Sequence, residues 1–318
     1  MDILVLGGSG FVGGHLARRL ARDGHAVRIA TRYAPGARRL AIVPGARIRQ
    51  FDPYDVERLT EELEGCDALV NLIGIVNEPG RDGSGFRRAH VQLVGIAIEA
   101  CRRAGVPRLV QMSALQAGSE QSHSLRTRGA GDTLVRQSGL DWTIFRPSTI
   151  FGRDDRFVSR FSALLKWMPV LPLVRPQAIM APVFVGDVVE AFARALHRRD
   201  AVGMTYELCG PERWIRREVV EYVARERGAK RWVVELPEAL GWLQARAFDF
   251  LPGGLLSSDH FQSLGVPGVC GEDGLQQLAI EPWSMRDKAP EWLRASGRQT
   301  RYRRFRELAR RARGSEPA

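Results

Sequence analysis

The chain has 318 residues, 44% of them hydrophobic, enough to bury a substantial core in one large α/β domain with a smaller appendage, so a disordered chain is excluded. It contains no apolar run long enough to span a bilayer and opens on the strand-like Asp2 to Leu6 with no secretory pattern. The expectation is therefore a cytoplasmic protein, soluble or peripheral on the cytoplasmic face of the inner membrane. The net charge of +11 is concentrated in a basic tail, Arg298 to Arg313, so it describes that tail more than a domain, and nucleic acid is not an expected partner.

In chain order, β-rich runs occur near Ile3 to Leu6, Ala26 to Thr31, Arg47 to Phe51, Ala68 to Leu72, Arg108 to Met112 and Trp142 to Phe145. Helical segments separate them at Val12 to Asp23, Val56 to Glu64, Phe86 to Ala104 and Ser124 to Ser138. Apolar strands alternating with helices long enough for a crossover predict a doubly wound parallel sheet. After Phe151 the alternation gives way to a helix from Arg156 to Trp167 and a Pro-broken run from Met168 to Val174. Pro182 to Asp187 reads as a strand returning to the sheet, and Asp187 as the cap of a helix from Val188 to His197. An amphipathic helix from Arg213 to Arg227 and an apolar segment from Leu236 to Leu256 follow. The expected organisation is a dinucleotide-type domain over 1–150 and about 177–210, a smaller interleaved α/β substrate-type domain over about 151–176 and 211–297, and a basic tail over 298–318. Cys66, Cys101, Cys209 and Cys270 form no CxxC pair and are expected as reduced, mostly buried thiols. The scattered histidines offer no metal site.

Gly7-Gly-Ser-Gly10-Phe-Val-Gly13 joins the first strand to the first helix with the spacing GxxGxxG. Gly7 makes the turn, Gly10 admits a pyrophosphate, and Gly13 lets the helix lie on the strand; Phe11 and Val12 supply amides at the helix start. These features mark a Rossmann-type nucleotide site. At the end of the second strand, where a carboxylate would receive the 2′-hydroxyl of NAD, stands Arg32, which suits the 2′-phosphate of NADP, with Arg38 and Arg39 as reinforcement. The cofactor expected is NADP(H) in preference to NAD(H). Asp52 is placed at the adenine, and Leu72 and Gly74 beneath the adenosine and ribose.

With Asn71 to Gly74, Ser113, Arg146-Pro147-Ser148, Phe151-Gly152 and Pro182 to Asp187, the first 210 or so residues resemble the short-chain dehydrogenase/reductase superfamily in its extended or atypical, epimerase/dehydratase-like form. The Arg156-Phe157 and Arg160-Phe161 pairs, Pro169 to Leu173 and Tyr206 to Pro211 make it most similar to the family of NADPH-binding accessory subunits of respiratory complex I and their bacterial relatives. The resemblance implies a place near a respiratory complex or ubiquinone metabolism, and Pro147 as a further cofactor contact. It also implies a Tyr-x-x-x-Lys pair that supplies a proton beside the nicotinamide. Ser124 and Arg128 occupy those positions, and no tyrosine in the chain has a lysine four residues on.

Ser113 is then a remnant of the family site, and Arg128 is left to hold a ribose or phosphate. The leading expectation is an NADP(H)-binding protein with little or no catalysis, its nucleotide a structural or redox-sensing ligand. The alternative is an oxidoreductase, epimerase or dehydratase with an unorthodox donor such as His123, acting on a small carbonyl or quinone-type substrate in a cleft lined by Phe157, Phe161, Met168 and Leu171. A protein complex or an anionic membrane surface is the expected partner, reached through the helix around Phe161 to Trp167, the segment Leu240 to Leu256 and the tail.

Overall fold

The computed structural model describes residues 1–78, 82–155, 157–168, 170–229, 232–248 and 257–294. Strands β1 (Asp2–Leu6), β2 (Ala26–Thr31), β3 (Ala46–Gln50), β4 (Ala68–Asn71), β5 (Arg108–Met112) and β6 (Asp141–Pro147) form one sheet with a later strand, β11 (Met204–Leu208). The order is β11-β6-β5-β4-β1-β2-β3, and every pairing is parallel. Helices α1 (Phe11–Arg22), α2 (Val56–Leu63), α3 (Ser84–Arg87), α4 (Leu93–Ala104) and α5 (His123–Arg136) lie among these strands in the chain. The chain winds one way from β1 to β3 and the other way from β4 to β6. The crevice between β1 and β4 is thus the switch point at which ligands enter such sheets.

The period-two alternation of β1 fixes which helices cover which face. Ile3 and Val5 pack with Leu16 and Leu20 of α1 and with Val188 and Phe192. Leu4 and Leu6 point the other way, onto Leu59 and Leu63 of α2 and Val94 and Ala97 of α4. Both faces of the central strands are therefore dry, and their sequences read as continuous apolar runs. The helix expected over Phe86 to Ala104 is interrupted by a π turn over Arg88–Gln92. It buries His90, whose ring lies 3.0 Å from the Thr127 hydroxyl of α5 and 3.4 Å from the Ile75 amide. Burial pushes that imidazole down to about 2, so it stays neutral.

After β6 come β7 (Ile150–Phe151), α6 (Val158–Trp167), β8 (Val170–Leu173), β9 (Ile179–Met180), β10 (Val183–Phe184) and α7 (Val185–His197). Beyond β11 lie β12 (Trp214–Ile215), α8 (Arg216–Glu226), β13 (Trp232–Glu235), α9 (Glu238–Phe248) and α10 (Ser258–Ser263). Elements of this half share a second core that gathers Phe151, Val158, Leu165, Trp214 and Val223. Phe157, Phe161, Met168 and Leu171 belong to it as well. Their expected role as a cleft lining is thereby corrected: α6 turns Phe161 and Leu165 inward to satisfy a core. No described helix is long and apolar enough to cross a bilayer. Arg156, Leu251 to Leu256 and the basic tail Arg298 to Arg313 fall outside the described residues.

Two further expectations are corrected. Only Val183 and Phe184 separate Pro182 from α7, so that segment makes a two-residue ladder with β7, and β11 is the strand that returns to the sheet beside β6. Helix α7 accordingly starts at Val185, which puts Asp187 inside its first turn, where Oδ2 accepts the Trp283 amide at 2.8 Å. Burial raises this carboxyl to about 6. A carboxyl raised in the folded state weakens folding as pH climbs from the ordinary value near 4 towards 6, because the unfolded chain releases its proton first. Asp187→Asn should therefore be more stable than the parent above pH 6, by roughly 2 to 3 kcal/mol, with the gain vanishing below pH 4. Urea midpoints across that range check it, and a gain confined to low pH would refute it.

Cys209 and Cys270 are joined in a disulfide, with Cα atoms 6.0 Å apart, whereas Cys66 and Cys101 are free and buried as expected. The chain brings the two together because residues after Cys270 fold back along β11. Gly271 donates its amide to the Glu207 carboxylate, and Gly274 sits where a Cβ would come within 2.4 Å of the Glu207 carbonyl oxygen.

Candidate functional site: a nucleotide cradle and an adjoining cavity

The glycine loop spans the C-terminal end of β1 and the start of α1. Gly7 has φ +74°, a conformation open to glycine, and its carbonyl accepts the Gly10 amide at 3.0 Å. At Gly13 a Cβ would stand 2.3 Å from the Gly7 oxygen and 2.5 Å from the Gly8 Cα, so the helix rests directly on the loop backbone. Gly10, the N-cap of α1, has space around its Cα apart from that same Gly7 oxygen at 3.1 Å, and no side chain caps the helix. Phe11 and Val12 therefore begin a helix whose first amides no side chain caps, an arrangement that fits the diphosphate of a dinucleotide. The backbone of Gly7, Gly10 and the first turn would hold it.

At the C-terminal end of β2, Thr31 closes the strand by receiving Ser9 Oγ and the Tyr33 amide at its hydroxyl, both at 3.3 Å, and Arg32, the next residue, is exposed. Asp52 is also exposed, with Oδ1 accepting the Tyr54 amide at 3.2 Å. The Arg88 guanidinium lies 4.5 Å from the centre of the Tyr54 ring. Burial raises the Tyr54 hydroxyl, while the positive charges of Arg88 and Arg32 pull it down, which places both cations near this ring. Arg39 faces Asp154 at 3.9 Å, and Arg38 is exposed. Arg88, at the start of the π turn, is a cation here that the sequence does not point to beside Arg38 and Arg39.

Past β4, buried Leu72 donates its amide to the Leu6 oxygen at 3.0 Å, and Gly74 lies directly under Arg128, with a Cβ there only 2.6 Å from Nη2. Helix α5 carries Ser124 and Arg128 one turn apart, on the same face. Both line a cavity of about 310 Å³ that also takes in Pro147 at the end of β6. Ser113 directly follows β5, with its hydroxyl buried and without a hydrogen-bond partner among the described residues. His123 turns elsewhere, its Nδ1 2.7 Å from Arg126, and is no part of the cavity wall.

The opposite wall comes from a segment that the sequence reading left out of the site. Asp259, His260, Ser263, Leu264, Val266 and Gly268 all face the cavity. Asp259 accepts the His123 amide at 2.6 Å and the Ser124 amide at 3.3 Å, so a carboxylate distant in sequence supports the start of α5. Gly268 pairs with Ile179 and Ala181, and its oxygen receives Ser148 Oγ at 2.8 Å. Burial, reinforced by Arg216 and Arg160, pushes the His260 imidazole down to about 4, and burial lowers the Arg128 guanidinium to about 10. Arg128 makes no hydrogen bond or ion pair with any other described residue; Asp132, one turn further along α5, is engaged by Arg146 at 2.7 Å. Neither Asp259 nor His260 belongs to a motif with recognisable spacing, so no local signal marked them.

Residues 7–159 match the family described as NAD(P)H-binding. The chain is 30% identical over 325 residues to NADH dehydrogenase (ubiquinone) 1 alpha subcomplex subunit 9, mitochondrial, of Rattus norvegicus, covering 99% of this chain and 84% of that one. It is 27% identical over 296 residues to the ceramide reductase of Caulobacter vibrioides, covering 89% and 85%. Among solved structures, an NADPH-dependent quinone oxidoreductase of Escherichia coli complexed with NADPH superposes with a TM-score of 0.74 at 19% identity, covering 92% of this chain and 99% of that one.

Proposed function

Because the chain belongs to the NAD(P)H-binding, short-chain dehydrogenase/reductase-like family of the alpha subcomplex subunit 9, we propose that it is a nucleotide-holding protein of a larger assembly, one that keeps NADP(H) in preference to NAD(H) as a structural or redox-sensing ligand. A bound NADPH would supply a hydride; what these residues lack is the accompanying proton. The observation that carries this reading is the pairing of Ser124 and Arg128 on one face of α5, in the wall of the cavity, where the family's tyrosine and lysine stand. A serine hydroxyl is far less acidic than a tuned phenol, and Arg128, at about 10, keeps its proton at neutral pH. His260, at about 4, has none to give, and Asp259 spends its oxygens on the α5 amides. Loss of a general acid costs on the order of 10² to 10⁴ in rate, which leaves binding as the function the residues serve best.

Calorimetric titration with NADPH and with NADH, on the parent and on Arg32→Asp, tests the proposal. The expected result is micromolar or tighter binding of NADPH, weakened about tenfold or more in Arg32→Asp, with no consumption of NADPH absorbance in the presence of carbonyl or quinone acceptors. Equal affinity for both nucleotides would remove the NADP preference, and binding of neither would overturn the proposal.

A further inference from the structure

The histidines are scattered along the sequence, but the fold brings two of them together. His25 immediately precedes β2, and His197 is the last residue of α7. Helices α1 and α7 share one core and are tied by an ion pair between Arg19 and Glu190. Beyond that tie the two imidazoles meet, Nε2 to Nε2, at 3.0 Å. His25 is buried and His197 exposed, so the pair is reached from solvent past the His197 ring. One N–H···N hydrogen bond accounts for this distance, and the same distance suits two ligands of one metal ion. Bonds of about 2.0 to 2.1 Å from nitrogens so spaced subtend about 90° at the ion, the cis angle of square-planar and octahedral centres. The ring centres lie 4.9 Å apart with planes tilted by 31°, closer than two imidazoles meeting tip to tip would stand. Burial, the Met1 ammonium and His197 lower the His25 imidazole, against the opposing pull of Asp23 and Asp67. It is thereby kept neutral, the form a metal ion binds. Among the described residues no cluster of three or more His, Cys, Asp or Glu could hold a metal, so water would complete the shell here.

We propose that His25 and His197 form a two-imidazole site for a late first-row divalent cation that takes cis ligands, such as Ni²⁺ or Cu²⁺, and that the ion clips the end of α7 to the start of β2. Both rings then carry their hydrogen on Nδ1. At His25 that atom lies 3.3 Å from the Met1 amino nitrogen, which must accept it as a free amine, so binding releases one proton. The glycine loop follows the C-terminal end of β1, whereas His25 stands at the N-terminal end of the parallel β2. The two sites are thus at opposite ends of the sheet, and the inference does not rest on the nucleotide reading.

The test is calorimetry with nickel chloride and magnesium chloride on the full chain carrying no added histidines. One Ni²⁺ is expected to bind per chain, at least a hundredfold more tightly than Mg²⁺, which prefers oxygen ligands. His197→Ala and His25→Gln should each weaken Ni²⁺ by at least tenfold. His123→Ala, whose ring meets Arg126 on α5, should leave it unchanged. Because His197 is exposed, its removal spares the core, and urea unfolding confirms that the variant folds. Electron paramagnetic resonance with Cu²⁺ should show two imidazole nitrogens on the ion in the parent and one in His197→Ala. Saturating Ni²⁺ should raise the Tm of the parent and leave that of His197→Ala where it was, since the ion binds only the folded arrangement of both rings. Nickel binding no tighter than magnesium binding, parent-like nickel affinity in His197→Ala, or a parent Tm unmoved by nickel would each overturn the proposal.

Discussion

Gly13→Val should abolish dinucleotide binding and destabilise the fold by about 3 kcal/mol. The first atom of the new side chain would fall 2.3 Å from the Gly7 oxygen and 2.5 Å from the Gly8 Cα, and both are backbone atoms with no rotamer to change. Relief requires α1 to lift away from the loop, which parts Leu16 and Leu20 from Ile3 and Val5 and moves the amides of Phe11 and Val12 that would hold the diphosphate. The neighbouring glycine supplies a matched control. At Gly14 a Cβ would meet only the Arg18 guanidinium at 3.6 Å and Leu40 at 3.9 Å, which is ordinary contact. Gly14→Ala should accordingly bind NADPH like the parent and gain about 0.5 to 1 kcal/mol from helix propensity. Urea unfolding and calorimetry on the two variants decide the matter. Parent-like nucleotide affinity in Gly13→Val would mean that the ligand does not use this loop.

That adjacent glycines have opposite expectations shows which part of the site is readable from one dimension. The loop is local: strand, turn and helix start lie within thirteen residues, and each glycine answers a constraint imposed by its neighbours. The strands are local as well, and β1 to β6 lie where their apolar runs predicted them, to within one or two residues. Ser124 and Arg128 were legible for the same reason, since helical spacing alone puts them on one face. The opposite wall of the cavity was not. Asp259 reaches the His123 amide from 136 positions away, and its role is set by where α10 docks, which no periodicity encodes. Phe157 and Phe161 erred in the other direction: an aromatic pair in a helix reads equally as a ligand wall or a core, and only the packing of α6 against α8 decides for core. Arg88 stands at the start of a π turn, which no residue pattern announces.

The disulfide belongs to this long-range class, and its removal is the second large effect expected. Cys209 and Cys270 are 61 residues apart, so the cross-link shortens a long loop of the unfolded chain, and chain entropy puts its contribution at about 4 kcal/mol. For a chain of this length, reduction or the double change Cys209→Ser with Cys270→Ser should lower Tm by about 6 °C. The native contacts at both ends of the loop do not depend on the bond. Asp259 holds α5 through two amides, Gly268 pairs with Ile179 and Ala181, and Leu275, Leu278 and Ile280 are buried in the same core as β1. The reduced protein should therefore keep its secondary structure and its nucleotide affinity at 25 °C, with the loss appearing only in unfolding curves taken with and without dithiothreitol. If the two curves coincide, the cross-link constrains nothing that those contacts do not already fix. If reduction instead melts the region after Cys209 while the sheet persists, the bond is holding the cavity's outer wall in place and the packing of Leu275 and Ile280 is too weak to do so alone.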